Sequence, residues 1–413
     1  MSAPSPPSPP ISSAKYFTAL TAVSVAAMGV AFRDIFAYSP SVLDAPACLE
    51  QPWVSHYPIA RPLNNLLCTL NTFFASIGAA RGGPAFLEYM GGVFLSAVLV
   101  TVYEGFRPSS RRSAGREGPG SAEGFGMRLG IAQMSTIALA IGQVITAGIA
   151  LPAYYALVSW STPKHWRRHH HKVDLGDEVF FLSDEARAHV RKRGKHSVQY
   201  NANVPRSSYL YTTLVSTLVG FVIPSAVMKL APLEHKYDAQ SAWQIFPLYM
   251  LAINIILPPL LRRGFSGVTP KVGIVLIATL GIAASLRAQW GLVTYLRSNK
   301  DSLKDIFTLD RIDNLSWAAH RVLVTDFVLI TLAAGSKVLL ALARRTRAGA
   351  GGKTVYALIL LASAAVVGPG ASIMAMWAYA EFIALGHARE YAEAKAAKAT
   401  VVDEVRAEVP KVE

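Results

Sequence analysis

Six ionisable side chains, Glu88, Glu104, Arg287, Asp326, Lys337 and Glu381, sit within or at the ends of long apolar runs of this chain. Inside a bilayer each costs at least about 2.5 kcal/mol, so each needs a reason to be there. Near a helix end the plain reason is snorkelling to the headgroups. That reading serves Glu88 and Lys337, and it competes evenly with a functional one at Glu381. Asp326 resists it. The residue lies about 9 Å of helix rise inside a span that starts near His320, and its short side chain cannot reach the interface. If residues 129–160 cross the membrane once, Glu104, Asp326, Glu381 and Arg287 share the non-cytoplasmic half with Trp290, Trp377 and Tyr379. Glu88, about 24 Å along the helix from Glu104, then belongs to the other half.

Such a layer has a definite chemistry. A carboxyl group in a dry chamber keeps its proton near neutral pH, because burial disfavours the anion, and it can serve as a general acid. Aromatic faces stabilise a passing carbocation without quenching it, and exclusion of water protects that cation. Protonation and cyclisation of an isoprenoid chain or its epoxide fits this inventory. Either Asp326 or Glu104 is the expected proton donor, with the other holding or recharging the proton, and Trp290, Tyr155 and Trp377 are the expected walls. Glu381, Arg287 and Gln133 complete the expected pocket. A proton-coupled carrier of a small hydrophobic metabolite would use the same acids as a relay beside Arg287 or Lys337. In a non-catalytic scaffold they would only be paired structurally. Gln133, Gln143 and Asn254 fall within spans, where interhelical hydrogen bonding is the expected role.

Other chemistries lack their residues. His165, His169, His170 and His171 stand in a basic stretch with no consistent helical face and no HExxH or cysteine partner, which suits anionic headgroups better than a metal. With two cysteines, Cys48 and Cys68, neither a disulfide framework nor a CxxC site can be built. GAARGG at 78–83 and GGKT at 351–354 do not complete GxxxxGK[ST] and are flanked by apolar spans instead of a strand. No aspartate-rich DDxxD pattern occurs, which disfavours metal-assisted ionisation of a diphosphate. No metal or cofactor is expected.

The elements that must position these groups follow from hydropathy. Hydrophobic residues make up 52% of the 413 positions and charged ones 16%, well under the roughly 25% charge of a soluble domain. The formal charge of +14 is spread over short tracts between apolar runs, a sign of membrane topology and not of nucleic-acid binding. The expected fold is an all-α polytopic bundle of eight or nine spans in one membrane domain over 15–385. The spans are 16–32, 62–80, 85–103, 129–160, 209–229, 242–261, 272–292, 320–343 and 354–385. The second is the weakest and could be interfacial or re-entrant. Pro152 is expected to kink 129–160, and Gly368-Pro369-Gly370 interrupts the last. The Pro/Ser-rich 1–14 is expected to be disordered, and 386–413 to form a charged tail outside the bilayer. The basic insert 161–206 belongs to a set of loops with 17 Lys/Arg, against 10 in the alternate set. That bias puts the insert in the cytoplasm and the Asn314 sequon in the lumen, with the endoplasmic reticulum the expected membrane. No internal repeat is visible.

Several segments together resemble the fungal membrane-bound terpene cyclases of ascochlorin- and ascofuranone-type meroterpenoid pathways. They are LNNLLCTLNTFF (63–74), VYEGFR (102–107), GQVITAGIALPAYYAL (142–157), SYLYTTLVS (208–216) and HRVLVTDFVLI (320–330). The resemblance implies metal-free, acid-catalysed cyclisation of a terpenyl epoxide, with Glu104 and Asp326 as the acidic pair. The long basic insert and the charged C-terminal tail depart from it.

Overall fold

A computed structural model describes residues 13–38, 70–78, 80–106, 131–161, 207–264, 269–309, 315–346 and 348–386. Among these residues every regular element is helical. The helices are α1 (Ser13–Tyr38), α2 (70–78), α3 (Gly83–Gly105), α4 (Ile131–Ile145) and α5 (Ala147–Ser161). Helix α6 runs from Ser207–Thr217 through a π-turn at Leu218–Val222 into Ile223–Leu230. Then come α7 (Lys236–Gln244), α8 (Phe246–Gly264), α9 (Pro270–Asn299), α10 (Leu303–Ile306), α11 (Leu315–Arg345), α12 (Ala350–Val367) and α13 (369–386). Helix α1 starts at Ser13, two residues inside the tail expected to be disordered.

Among the described residues, six helices are long and apolar enough to cross a membrane: α1, α3, α6, α9, α11 and α12. The pair α7–α8, bent by 48°, makes a seventh if it counts as one span. The protein is therefore a helical, multi-pass membrane protein. Of the expected spans, 62–80 is described only from residue 70 onward, as the short α2. The basic insert, the Asn314 sequon, the histidine run, both cysteines and the charged tail beyond 386 lie outside the described residues.

Two expected spans are folded back on themselves. In 129–160 the break falls at Thr146, whose φ of 82° ends α4 and starts α5 in the opposite direction. A Cβ on Gly142 would touch Ala147, and Tyr154 reaches back to Ser135. Each arm has 15 residues and rises about 22 Å, short of a core of about 30 Å. The chain enters and leaves on one face. Phe106, just past α3, stacks on Tyr209 at the start of α6 (5.1 Å, 13°). Pro152, the expected kink, lies inside α5. The second reversal is at Gly368, where φ is +86°, a conformation that glycine adopts without a Cβ penalty. Leu360 of α12 and Ile373 of α13 both flank Gly335 of α11, so the two arms run side by side in opposite directions.

Cross-contacts fix the remaining directions. Tyr16 meets Ser336 and Asp34 meets Arg321, so α1 is antiparallel to α11. Gly273 abuts Leu210, so α9 and α6 start on the same face and run parallel, while Gly92 abuts Ala288 and Leu99 lies beside Gly281, which sets α9 antiparallel to α3. The face where α1 begins, here the N face, also receives the ends of α3, α5, α11 and α13. The far face holds the end of α1, the starts of α3 and α11, and the ends of α6 and α9. With the α4–α5 reversal, segments opening at the N face (106–127, 161–206, 262–271, 344–353) carry 21 Lys/Arg, against 6 in 229–241 and 293–319. The core between these helices is apolar and aromatic, centred on Tyr103, Leu99, Leu139, Leu151, Tyr155 and Met374.

Candidate functional site

Among the described residues, the ionisable groups singled out in the sequence fall into three separate clusters, and helix direction decides the membership of each. Near the N face, the last turn of α3 supplies Tyr103 and Glu104. Glu104 is buried and pairs with Lys337 Nζ of α11 at 3.1 Å. The same ammonium lies 5.4 Å from the centroid of the Tyr155 ring, a cation–π distance. Tyr155, fully buried on α5, shares a 2.7 Å hydrogen bond with Thr101. About two turns of α11 closer to the face, Glu381 of α13 pairs with Arg345 of α11 at 2.7 Å and accepts a 2.6 Å hydrogen bond from Tyr103. Trp377 stands edge-on to Tyr103, with centroids 4.8 Å apart. Opposite charges and charge-assisted donors are what let these carboxylates stay buried.

Asp326 is deeper and differently held. It sits eleven residues before Lys337 on α11, about 16 Å of rise away, at the height of the α4–α5 tip. The first N–H groups of a helix have no intrahelical acceptor; that of Gly148, in the first turn of α5, donates to Asp326 Oδ1 at 2.5 Å. The carboxyl group thus lies at the N-terminal end of α5. Gly148 permits the approach, since a Cβ there would fall 2.7 Å from Oδ1. The tip itself is strained, because Thr146 is β-branched and left-handed. Of the four acidic residues buried among the described ones, Asp34, Glu104, Asp326 and Glu381, all but Asp326 have a cation within 4 Å among the described residues.

The third cluster lies toward the far face. Glu88 of α3 bridges Lys229 at the end of α6 (2.9 Å) and Arg287 of α9 (3.4 Å). All three are at least partly exposed. On the same face, His320 is buried against Phe86, and its Nε2–H donates to the Ile306 carbonyl at 2.6 Å.

Several expectations are corrected by this arrangement. Arg287 does not join the acids: with two reversals in the chain, Glu104 and Glu381 end at the N face while Arg287 pairs with Glu88 in the opposite half. Glu104 and Asp326 are not a contacting pair. Trp290 is 69% exposed, so it faces the surroundings of the bundle instead of walling an interior site. Tyr155 and Trp377 are interior, as expected. Gln133 lies in the first turn of α4, and its side chain is outside the described residues. Among the described residues no group of three or more His, Cys, Asp or Glu could hold a metal ion.

Sequence reasoning missed Arg345, Tyr103 and Thr101. Arg345 is the last residue of a span, where snorkelling is the default reading, and its burial follows only from α13 returning beside it. Tyr103 precedes Glu104 at the end of the same apolar run, and that adjacency was the available signal. The chain matches no family model, no curated protein and no solved structure.

Proposed function

We propose that this protein is an integral-membrane terpene cyclase in which Asp326 supplies the initiating proton, without a metal, to a prenyl or epoxyprenyl chain. The observation that carries the reading is a buried carboxyl group with no cationic partner among the described residues, held at the tip of a membrane-embedded hairpin. Glu104 and Glu381 are engaged by Lys337 and Arg345, and Asp326 is left as the acid. Its proton passes to the epoxide oxygen, the C–O bond opens, and the chain's own double bonds capture the cation. A final proton loss restores the carboxyl group. Tyr155 and Trp377 form the aromatic side of the bundle toward the N face. Glu104, with Lys337, braces Tyr155 and does not share the proton. A small hydrophobic isoprenoid, drawn from the bilayer, is the substrate class. The endoplasmic reticulum is the proposed membrane, with the N face and its 21 basic residues toward the cytoplasm. On this reading α1, α3, α6, α7–α8, α9 and α11 cross the bilayer, and the hairpins α4–α5 and α12–α13 contribute four further arms that do not.

One observation favours a second reading. A half-helix N-terminus aimed at a mid-membrane carboxylate, in a bundle with two hairpins opening to one face, is also a geometry of proton-coupled carriers. Microsomes containing the protein, given an epoxy-prenylated phenol, separate the two. Cyclised product that falls by about 10²-fold or more in Asp326→Asn, the weight of a general acid, supports the cyclase. Asparagine keeps the acceptor for Gly148 N–H, so the hairpin stays docked. Full turnover in that variant removes Asp326 as the acid, while proton-dependent flux of unaltered substrate in proteoliposomes selects the carrier.

A further inference from the structure

The interface between α6 and α8 holds hydrogen-bonding groups that the fold itself does not use. Asn254 of α8 is 1% exposed, yet neither its amide nitrogen nor its oxygen has a hydrogen-bond partner. Interhelical bonding was its expected role, and it is not fulfilled. The Thr217 hydroxyl of α6, also buried, is likewise unpartnered. The two lie at the same height: Gly220 is packed against Met250, and one turn along each antiparallel helix brings Asn254 opposite Ser216 and Thr217. Two backbone features add to the surplus. Pro258 and Pro259 inside α8 have no N–H, so the Asn254 carbonyl loses both its i+4 donor and the alternative at i+5, and the Ile255 carbonyl loses its i+4 donor. Thr217 also borders the π-turn at Leu218–Val222, a departure from α-geometry that is frequent at functional sites.

Charge is absent from this interface. Residues 131–145 of α4, 209–228 of α6 and 246–261 of α8 contain no Asp, Glu, Lys or Arg. An ion would have no counter-charge there at mid-bilayer depth, which excludes a charged ligand on cost. The groups on offer are mostly acceptors, namely the Asn254 side-chain oxygen and two freed carbonyls, with the Asn254 amide N–H as donor and the Thr217 hydroxyl as either. A ligand group that matches them must both donate and accept, which a hydroxyl does and an ester or ether does not. Ile255 and Ile256 on α8 and Val215 and Val219 on α6 are exposed on the outer side of the same helices, so the interface adjoins the lipid.

We infer that Asn254 and Thr217, beside the α6 π-turn and the α8 prolines, form a binding site for the hydroxyl group of an uncharged lipophile taken from the bilayer. The site does not depend on the cyclase reading and lies on helices that do not carry Asp326. The test uses the purified full chain in phosphatidylcholine vesicles with two photoprobes, a diazirine-bearing fifteen-carbon alcohol and the same chain without the hydroxyl. The alcohol should label peptides of α6 and α8 at least about fivefold more than the hydrocarbon, the weight of one net hydrogen bond. Asn254→Leu should reduce alcohol labelling to the hydrocarbon level, while Asp326→Asn should leave it unchanged. Thr217→Val carries the same test should the leucine variant not fold. Equal labelling by the two probes overturns the proposal. So does full labelling in Asn254→Leu, which would mean that the amide is satisfied by water alone, and so does loss of labelling in Asp326→Asn.

Discussion

The contact between Gly148 and Asp326 gives the sharpest energetic prediction. In Gly148→Ala the new Cβ falls 2.7 Å from Asp326 Oδ1, 2.9 Å from Leu329 Cβ and 3.2 Å from the Asp326 carbonyl oxygen. Two of these neighbours are fixed to the α11 backbone and cannot rotate away. Carbon contacts are comfortable at about 3.5–4.0 Å, so α5 must withdraw from α11 by roughly 0.6–1 Å. That stretches the Gly148 N–H bond to Asp326, now 2.5 Å, past 3 Å. Losing a hydrogen bond to a neutral carboxyl group costs about 0.5–1.5 kcal/mol, and overpacking adds about 1–3 kcal/mol. Alanine returns about 1 kcal/mol of helix propensity. The net loss is roughly 0.5–3.5 kcal/mol on these three contributions. Gly29→Ala and Gly91→Ala are the internal controls, because a Cβ at either position meets nothing within 4 Å. Each should be neutral or slightly stabilising. The assay is reversible unfolding of the three purified variants in mixed micelles by SDS titration. If Gly148→Ala proves as stable as the two controls, α5 does not dock on Asp326 and the hairpin tip is misassigned.

Three further outcomes follow from the same geometry. Arg345→Met should destabilise the bundle by about 3–5 kcal/mol, because it strands the buried Glu381 carboxylate, whereas Arg345→Met with Glu381→Met should recover most of that loss; the same SDS titration measures both. Glu88→Gln should cost less than about 1 kcal/mol, since its ion pairs with Lys229 and Arg287 are solvent-screened; an unfolding midpoint far below wild type would contradict the exposed placement. With Cys48 and Cys68 replaced by serine, single cysteines introduced at 110–125 and at 170–200 should react with a membrane-impermeant maleimide from the same side of sealed vesicles. Labelling from opposite sides would mean that 131–161 crosses the membrane after all.

Much of the bundle was legible because a run of about 20 apolar residues has few alternatives to a membrane helix. The spans at 85–103, 209–229, 272–292 and 320–343 all fall within described helices. Reversals were harder to read. Proline and glycine advertise breaks, and Gly368 duly breaks its segment, but nothing local says whether the chain continues across or turns back. At Thr146 even the break had no signal, because a threonine with positive φ is held there by tertiary contacts, Asp326 among them. One missed reversal changes the face assigned to every later helix. For that reason Arg287 was placed with the acids and Glu88 apart from it, although the two are in contact. Burial of the acids was readable from their place in apolar runs; which cation neutralises each was not, because Lys337 and Arg345 reach their partners across helices whose neighbours hydropathy does not specify.

No residue of α12 is buried, although the helix is apolar along its length and directly precedes the buried α13. Its attachment rests on the Gly368 turn and a narrow contact around Leu360. An element with so little protein surface against it has a low opening free energy of its own, so the surrounding acyl chains set its position as much as the polypeptide does. Exchanging lipid for a short-chain detergent would therefore loosen this arm before any other, and preparations that differ only in amphiphile would differ first there.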